Sequence, residues 1–265
     1  MSGLLAGEIA VIYGGGGAIG GAVARVFARE GARVHLAGRT RAKLEIVARD
    51  IEASGGVARV TVLDMFDEAA MHAHADGVAA EAGRIDVMLN AIGIAHVQGQ
   101  SFLETTVAEF VDPIAATARA QFIAAQAVVR HMRAGSVILT LTTPGGRWVG
   151  KGFLANGVFS AATEAFSRLL AAELGGQGIR TVCLCPNAIP DAVELSGARE
   201  VFEGVAQRIG KPVREMLEEH GRTATLLGRL PRLAEVAEYA AFAASDRAGA
   251  TTGAIANLTC GLLTD

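Results

Sequence analysis

Three cysteines in 265 residues are too few for a disulfide framework, and their placement argues against one too. Cys183-x-Cys185 lies inside an apolar, strand-like run rather than in a metal knuckle, and Cys260 stands apart, so a reducing cytoplasm is the expected compartment. Positive charge is equally scarce. The chain has 24 Lys and Arg against 27 Asp and Glu, a net charge of −3, and its bases are scattered, which excludes a nucleic-acid face. No apolar run approaches the length of a membrane span. The segment before Tyr13 has one acidic and no basic residue, so no secretory signal is expected there. His72-x-His74 falls on a helix at a spacing that sends the two rings to different faces, and no metal site is expected. Internal repeats and low-complexity tracts are lacking as well. What is present, 51% hydrophobic and 19% charged residues, suits a single domain over 1–265 with a two-sided sheet core and a small helical cap.

Residues Glu8 to Glu30 read EIAVIYGGGGAIGGAVARVFARE, an apolar strand that runs through four glycines into an Ala-rich helix. Glycine lets the backbone turn tightly and approach a pyrophosphate, and the N–H groups at the helix start, from Ile19 onward, carry partial positive charge. Gly15-x-Gly17-x-x-Gly20 has the dinucleotide spacing in the required strand-to-helix context.

Further strand-like runs follow at Arg33–Ala37, Ala58–Leu63, Asp86–Ala91, Ser136–Thr142, Arg180–Cys185 and Ala254–Leu258. Helical spacing of Ala and Leu marks Arg41–Ser54, Asp67–Glu81, Thr105–Arg133, Asn156–Leu174 and Arg232–Ser245 between them. Strands apolar on both faces and separated by helices imply a doubly wound parallel sheet, a three-layer α/β/α Rossmann fold. Ligands of such sheets bind beyond the carboxyl ends of the strands. The rhythm breaks over 191–229, where two short amphipathic segments read as a mobile cap over that edge.

From about Gly7 to Gly261 the chain resembles the short-chain dehydrogenase/reductase family. Gly14-x-x-x-Ala18-Ile19-Gly20 is similar to the family's glycine motif, with Ala for one glycine and Tyr13 for the usual Thr. Asn90-Ala91-Ile92-Gly93 resembles its Asn-Asn-Ala-Gly strand end, Asp64 its adenine-contacting aspartate, and Pro186-Asn187 its Pro-Gly. The tail Leu227-Gly-Arg-Leu-Pro…Glu235-Val236-Ala237…Ala244-Ser245-Asp246…Thr252-Gly253 resembles the family's C-terminal pattern. The resemblance implies cofactor contacts at Gly14, Gly16, Gly17, Ile19 and Gly20, at Arg39 and Thr40, at Asp64 and Met65, at Asn90, Ala91 and Gly93, and at Pro186, Asn187 and Ile189. NAD-specific relatives place an acid where this chain has Gly38; Arg39 instead offers a guanidinium to a 2′-phosphate. NADP(H) is therefore expected over NAD(H), which stays open. A homodimer or homotetramer built on the helices at Thr105–Arg133 and Asn156–Leu174 is also implied, acting on a small-molecule substrate.

The family's catalytic tyrosine and lysine do not reappear. Anchoring on Arg168, Leu170 and Glu173-Leu174 sets Asn156 at the tyrosine position, Ser160 at the lysine position, Thr143 at the serine and Thr117 at the helix-four asparagine. Tyr13 and Tyr239, the only tyrosines, lie too far along the chain for a register slip to restore the phenol. A carboxamide and two hydroxyls can hydrogen-bond an oxyanion but do not exchange a proton near neutral pH. Among replacements, His96 is the candidate proton donor because imidazole titrates near neutrality; an exposed loop histidine is the alternative. Arg147 and Lys151 read as solvated loop charges, Asp191 as the cap of a short helix, and Trp148 as either pocket lining or loop anchor. Three functions compete: an NADP(H)-dependent oxidoreductase with a rebuilt acid–base set, a dinucleotide-binding pseudoenzyme or sensor, and a non-redox enzyme on the same scaffold. The third is disfavoured, because halohydrin dehalogenases keep the tyrosine and alter the glycine loop, the reverse of this chain.

Overall fold

Strands whose side chains are apolar on both faces must be covered on both faces, and the computed structural model, which describes residues 3–193, 195 and 198–264, shows how. Its strands are β1 (Ile9–Tyr13), β2 (Arg33–Gly38), β3 (Val57–Val62), β4 (Val87–Asn90), β5 (Val137–Leu141), β6 (Arg180–Pro186) and β7 (Ala254–Leu258). They form one sheet in the order β3-β2-β1-β4-β5-β6-β7, every neighbouring pair parallel. The helices are α1 (Ala18–Arg29), α2 (Arg41–Ala53), α3 (Glu68–Ala82), α4 (Val107–Val129), α5 (Leu154–Gly175), α6 (Pro190–Val193), α7 (Ala198–Ile209), α8 (Val213–Ala224) and α9 (Leu233–Ala244). Alternation along β1 divides the two cores. Ala10 and Ile12 pack with Phe27 of α1, Leu44 of α2 and Ala240 of α9, whereas Val11 and Tyr13 pack with Met71 of α3, Ile123 of α4 and Leu174 of α5. This is the doubly wound, three-layer arrangement. No described helix is long and apolar enough to cross a membrane.

Three helix ends depart from their expected places, one of them for a local chemical reason. The helix expected from Thr105 starts at Val107, because the Thr106 hydroxyl accepts from Glu109 N–H at 3.2 Å while the Glu109 carboxylate accepts from Thr106 N–H at 2.8 Å. It also ends at Val129 rather than Arg133. Conversely, α5 begins two residues before Asn156. Asn156 and Ser160 thus lie one turn apart on one buried face.

The cap expected over 191–229 holds three helices rather than two segments, since α6 precedes the amphipathic α7 and α8; Glu194, Ser196 and Gly197 lie outside the described residues. Val193, Leu217 and Leu230 form its buried contact, and Arg208 Nη1 donates to the Gln98 carbonyl at 2.7 Å, tying α7 to the loop after β4. Strand order reverses between β1 and β4, where Tyr13 pairs in register with Asn90. The crevice at that reversal is where an open α/β sheet takes its ligand.

Candidate functional site

The turn from β1 into α1 needs glycine for steric reasons. Gly14 has φ +80°, and a β-carbon there would come within 2.6 Å of the Ala91 carbonyl oxygen. A β-carbon on Gly20 would fall on the Gly14 carbonyl oxygen, and one on Gly16 would meet Lys43 Cβ at 3.0 Å. Gly14 N–H and Gly15 N–H donate to the Ala37 carbonyl, and Gly17 N–H returns to Gly14. Among the described residues, no acceptor takes the N–H groups of Ala18, Ile19 and Gly20, and the first turn of α1 has no acidic residue. An anion is what such a helix start lacks.

The other expected cofactor residues surround this turn. Arg39 and Thr40 stand exposed between β2 and α2, and Thr40 caps α2 without a side-chain bond. Neither the Arg39 nor the Lys43 side chain has a hydrogen bond or ion pair among the described residues. Lys43 was not expected from sequence; its signal is its place one turn into α2, beside Gly16. Asp64 accepts from Phe66 N–H at 3.0 Å and is exposed, with Met65 buried beside it. The Asn90 amide is spent internally, donating to Gln121 Oε1 at 3.1 Å and accepting from Ile92 N–H at 3.3 Å, so its side chain ties β4 to α4. Ala91 N–H donates to the Tyr13 carbonyl, and Gly93 is exposed beyond it. Pro186 closes β6, and Ile189 packs beside Ala18 and Ile19, which brings the β6 exit against the cradle. Asn187 Nδ2 is buried there without a partner. An open helix start, an exposed basic pair and a buried orphan donor at one edge fit a dinucleotide.

Across the β5 end, the expected catalytic positions form one hydrogen-bonded cluster. Thr143 caps the 3-10 turn Pro144–Gly146 and accepts from Gly145 N–H at 3.3 Å. Its Oγ1 lies 3.1 Å from Asn156 Oδ1 and 2.8 Å from Ser160 Oγ. Asn156 Nδ2 lies 3.5 Å from His96 Nε2, Gln98 Nε2 lies 2.7 Å from the same nitrogen, and His96 Nδ1 lies 2.8 Å from the Ile94 carbonyl. Asn156 and Ser160 are buried, while Thr143, His96 and Gln98 are half-buried. Thr117 does not join the cluster: its Oγ1 is buried without a partner. The exposed-loop alternative for His96 is corrected, since Phe159 packs edge-on against its ring at 4.9 Å. Burial holds its pKa below the usual imidazole value, although the Ile94 carbonyl pulls the other way. Gln98 was missed by sequence reasoning, which weighed ionising groups and not the amides that orient them.

Two loop charges are corrected as well. Arg147 is no solvated charge; its Nε lies 3.3 Å from the buried Glu164 carboxylate, which clamps the turn after β5 onto α5. Asp191 caps a different helix from the expected one, accepting from Leu233 N–H, at the start of α9, at 3.3 Å. Lys151 is exposed. Trp148 packs edge-on against Phe153 at 5.1 Å and against His220 of α8 at 6.3 Å, so it anchors the loop and touches the cap together. His72 pairs with Arg130 and His74 with Tyr13 on different sides of α3, and no group of three or more metal-ligating side chains forms among the described residues.

Known proteins share this framework. A family model described as enoyl-(acyl carrier protein) reductase matches residues 16–262. The chain is similar to galactitol 2-dehydrogenase (L-tagatose-forming) of Cereibacter sphaeroides, 32% identical over 255 residues that cover 95% of this chain and 93% of that one. It is also similar to meso-2,3-butanediol dehydrogenase of Serratia marcescens, 29% identical over 251 residues, covering 93% and 91%. A solved dehydrogenase/reductase from Sinorhizobium meliloti superposes with a TM-score of 0.82 at 25% identity, covering 98% of this chain and 96% of that one.

Proposed function

The chain belongs to the short-chain dehydrogenase/reductase family, and from that premise we propose an NADP(H)-dependent oxidoreductase that interconverts a small secondary alcohol and its ketone. Thr143, Asn156 and Ser160 stand where the family has serine, tyrosine and lysine. The observation that carries the reading is the cradle: unpaired N–H groups at Ala18, Ile19 and Gly20, with exposed Arg39 and Lys43 at its adenosine side. Arg39 and Lys43 hold a 2′-phosphate, and Asn187 Nδ2 donates at the other end of the cofactor. When bound, the dinucleotide supplies a two-electron acceptor or donor at its nicotinamide ring. Thr143, the half-buried hydroxyl of the cluster, holds the substrate oxygen. The relatives are named for galactitol and meso-2,3-butanediol, so polyols and diols are the substrate class to try first. A dinucleotide-binding pseudoenzyme is the competing reading, favoured by the burial of Asn156 and Ser160. We further place the protein in the cytoplasm, where the thiols of Cys183, Cys185 and Cys260 stay reduced.

Calorimetric titration of NADPH and NADH tests the cofactor assignment. Hydrogen bonds to a charged group contribute about 1.5–3 kcal/mol, so NADPH binds about 10- to 100-fold tighter, and Arg39→Ala narrows that gap while leaving NADH unchanged. Equal affinities in the wild type reject it.

A further inference from the structure

The protons of the Thr143 cluster all point one way. A carbonyl can only accept, so the 2.8 Å contact to Ile94 fixes the proton of neutral His96 on Nδ1. Nε2 is then a lone pair, and the two groups that reach it, the amides of Gln98 and Asn156, both donate. On the far side, Thr143 gives its single proton to Asn156 Oδ1 and receives one from Ser160. The order of donation is Ser160, Thr143, Asn156, and it terminates on the imidazole. Groups facing the ring from its own loop are the Ile94 carbonyl and Gln98; those from α5 are Asn156 and Phe159. None of them is charged.

Resting on the dehydrogenase reading above, we infer that His96 Nε2 is the general base that takes the hydroxyl proton of the substrate alcohol while Thr143, its proton turned from Asn156 Oδ1 to the substrate, holds the alcohol oxygen. Nε2 has a single lone pair, held by Gln98 at 2.7 Å, so the substrate hydroxyl takes it by displacing the Gln98 amide together with the long Asn156 contact. Its O–H bond breaks as Nε2–H forms, and the electron pair left on oxygen closes the C=O bond. The carbinol C–H pair departs as hydride to the oxidised nicotinamide dinucleotide, the co-reactant. The imidazolium then returns its proton to solvent, from which half-buried His96 is not sealed. Burial disfavours the imidazolium, so the base is ready at neutral pH, whereas ketone reduction, which needs the protonated ring, gains as pH falls.

Nitrogen-15 NMR of the full chain reads the tautomer without turnover: an Nδ1–H imidazole at pH 7 for the resonance missing in His96→Gln is expected, and an Nε2–H tautomer overturns the assignment. Oxidation of meso-2,3-butanediol, D-threitol and galactitol with NADP+ is then compared in wild type, His96→Gln and His96→Gly. The glutamine variant is expected to lose about 10²–10⁴-fold in kcat together with the acidic limb of the pH profile, and free imidazole to restore part of the loss in the glycine variant. Unchanged kcat in His96→Gln, or a wild type that binds NADPH but oxidises none of the three alcohols, overturns the proposal. Calorimetry of NADPH with each variant separates the two readings, because the cradle is intact in both and loss of binding in the wild type would instead defeat the proposed function.

Discussion

Gly20 and Gly77 show how one residue type can be forced at one position and merely tolerated at another. A β-carbon at Gly20 collides with the Gly14 carbonyl oxygen, whereas one at Gly77, inside α3, meets nothing within 4 Å. Gly20→Ala is expected to destabilise by about 1–3 kcal/mol in urea unfolding and to abolish NADPH binding, since the turn must shift to make room. Gly77→Ala is expected to stabilise by about 0.5–1 kcal/mol and leave binding alone. A Gly20→Ala protein that binds NADPH normally would refute the steric account of the cradle. The cradle was legible in the sequence because strand, turn and helix start form one continuous stretch whose geometry admits few residues. The Arg147–Glu164 clamp and the Asp191–Leu233 cap were not, because their partners lie 17 and 42 residues apart and only the folded backbone joins them. His96 was legible as an ionising group but not as an acceptor, since its tautomer is set by a carbonyl two residues away whose direction the sequence does not encode.

At the scale of elements, periodicity located the strands to within a residue or so, and helix ends less closely: Thr106 and Glu109 set the α4 start, whereas the α4 end and the α5 start moved with no side-chain cap to place them. Packing between elements was the less legible part. β1 and α3 meet through Tyr13, wholly buried, whose hydroxyl lies 3.4 Å from His74 Nδ1, with His74 Nε2 buried and unpartnered. Burial pushes the His74 pKa down to about 4, with nearby His35 adding to the effect, and drives the Tyr13 phenol up. A histidine with a depressed folded value binds a proton more readily when unfolded, so its contribution to stability is complete above the unfolded value near 6.5 and is lost as pH falls toward 4. That amounts to up to about 3 kcal/mol over the window. Glu8 works in the opposite sense, its pKa raised to about 7 by burial and by Asp86, so it offsets part of the loss in the wild type. Comparison with His74→Leu cancels Glu8. Urea midpoints at pH 7 and 5 should fall further in the wild type than in the variant; parallel falls would show that His74 does not titrate with unfolding.

On the scale of the whole molecule, the sheet order and both cores satisfy themselves within one chain, yet the outer faces of α4 and α5 do not. Val111, Ala115, Ala118 and Phe122 form an exposed stripe at helical spacing along α4, and Leu154, Val158, Ala161 and Leu169 form another along α5. Phe122 is 56% and Leu169 67% exposed, large apolar surfaces to leave in water. The small residues between them let a second helix pair approach closely, which is the geometry a two-fold contact between copies of this chain requires. A stable interface of ordinary size buries about 800 Å² per partner, which sets the scale of the contact expected over the two stripes. Sedimentation at micromolar concentration is therefore expected to give a dimer or tetramer. Introducing charge at both stripes, Phe122→Glu with Leu169→Glu, should yield a monomer with unchanged far-ultraviolet circular dichroism, because each side chain already faces solvent within its own chain and its replacement opens no cavity. A wild-type monomer, or an assembly that survives both charges, would place the contact elsewhere and leave the two stripes unexplained.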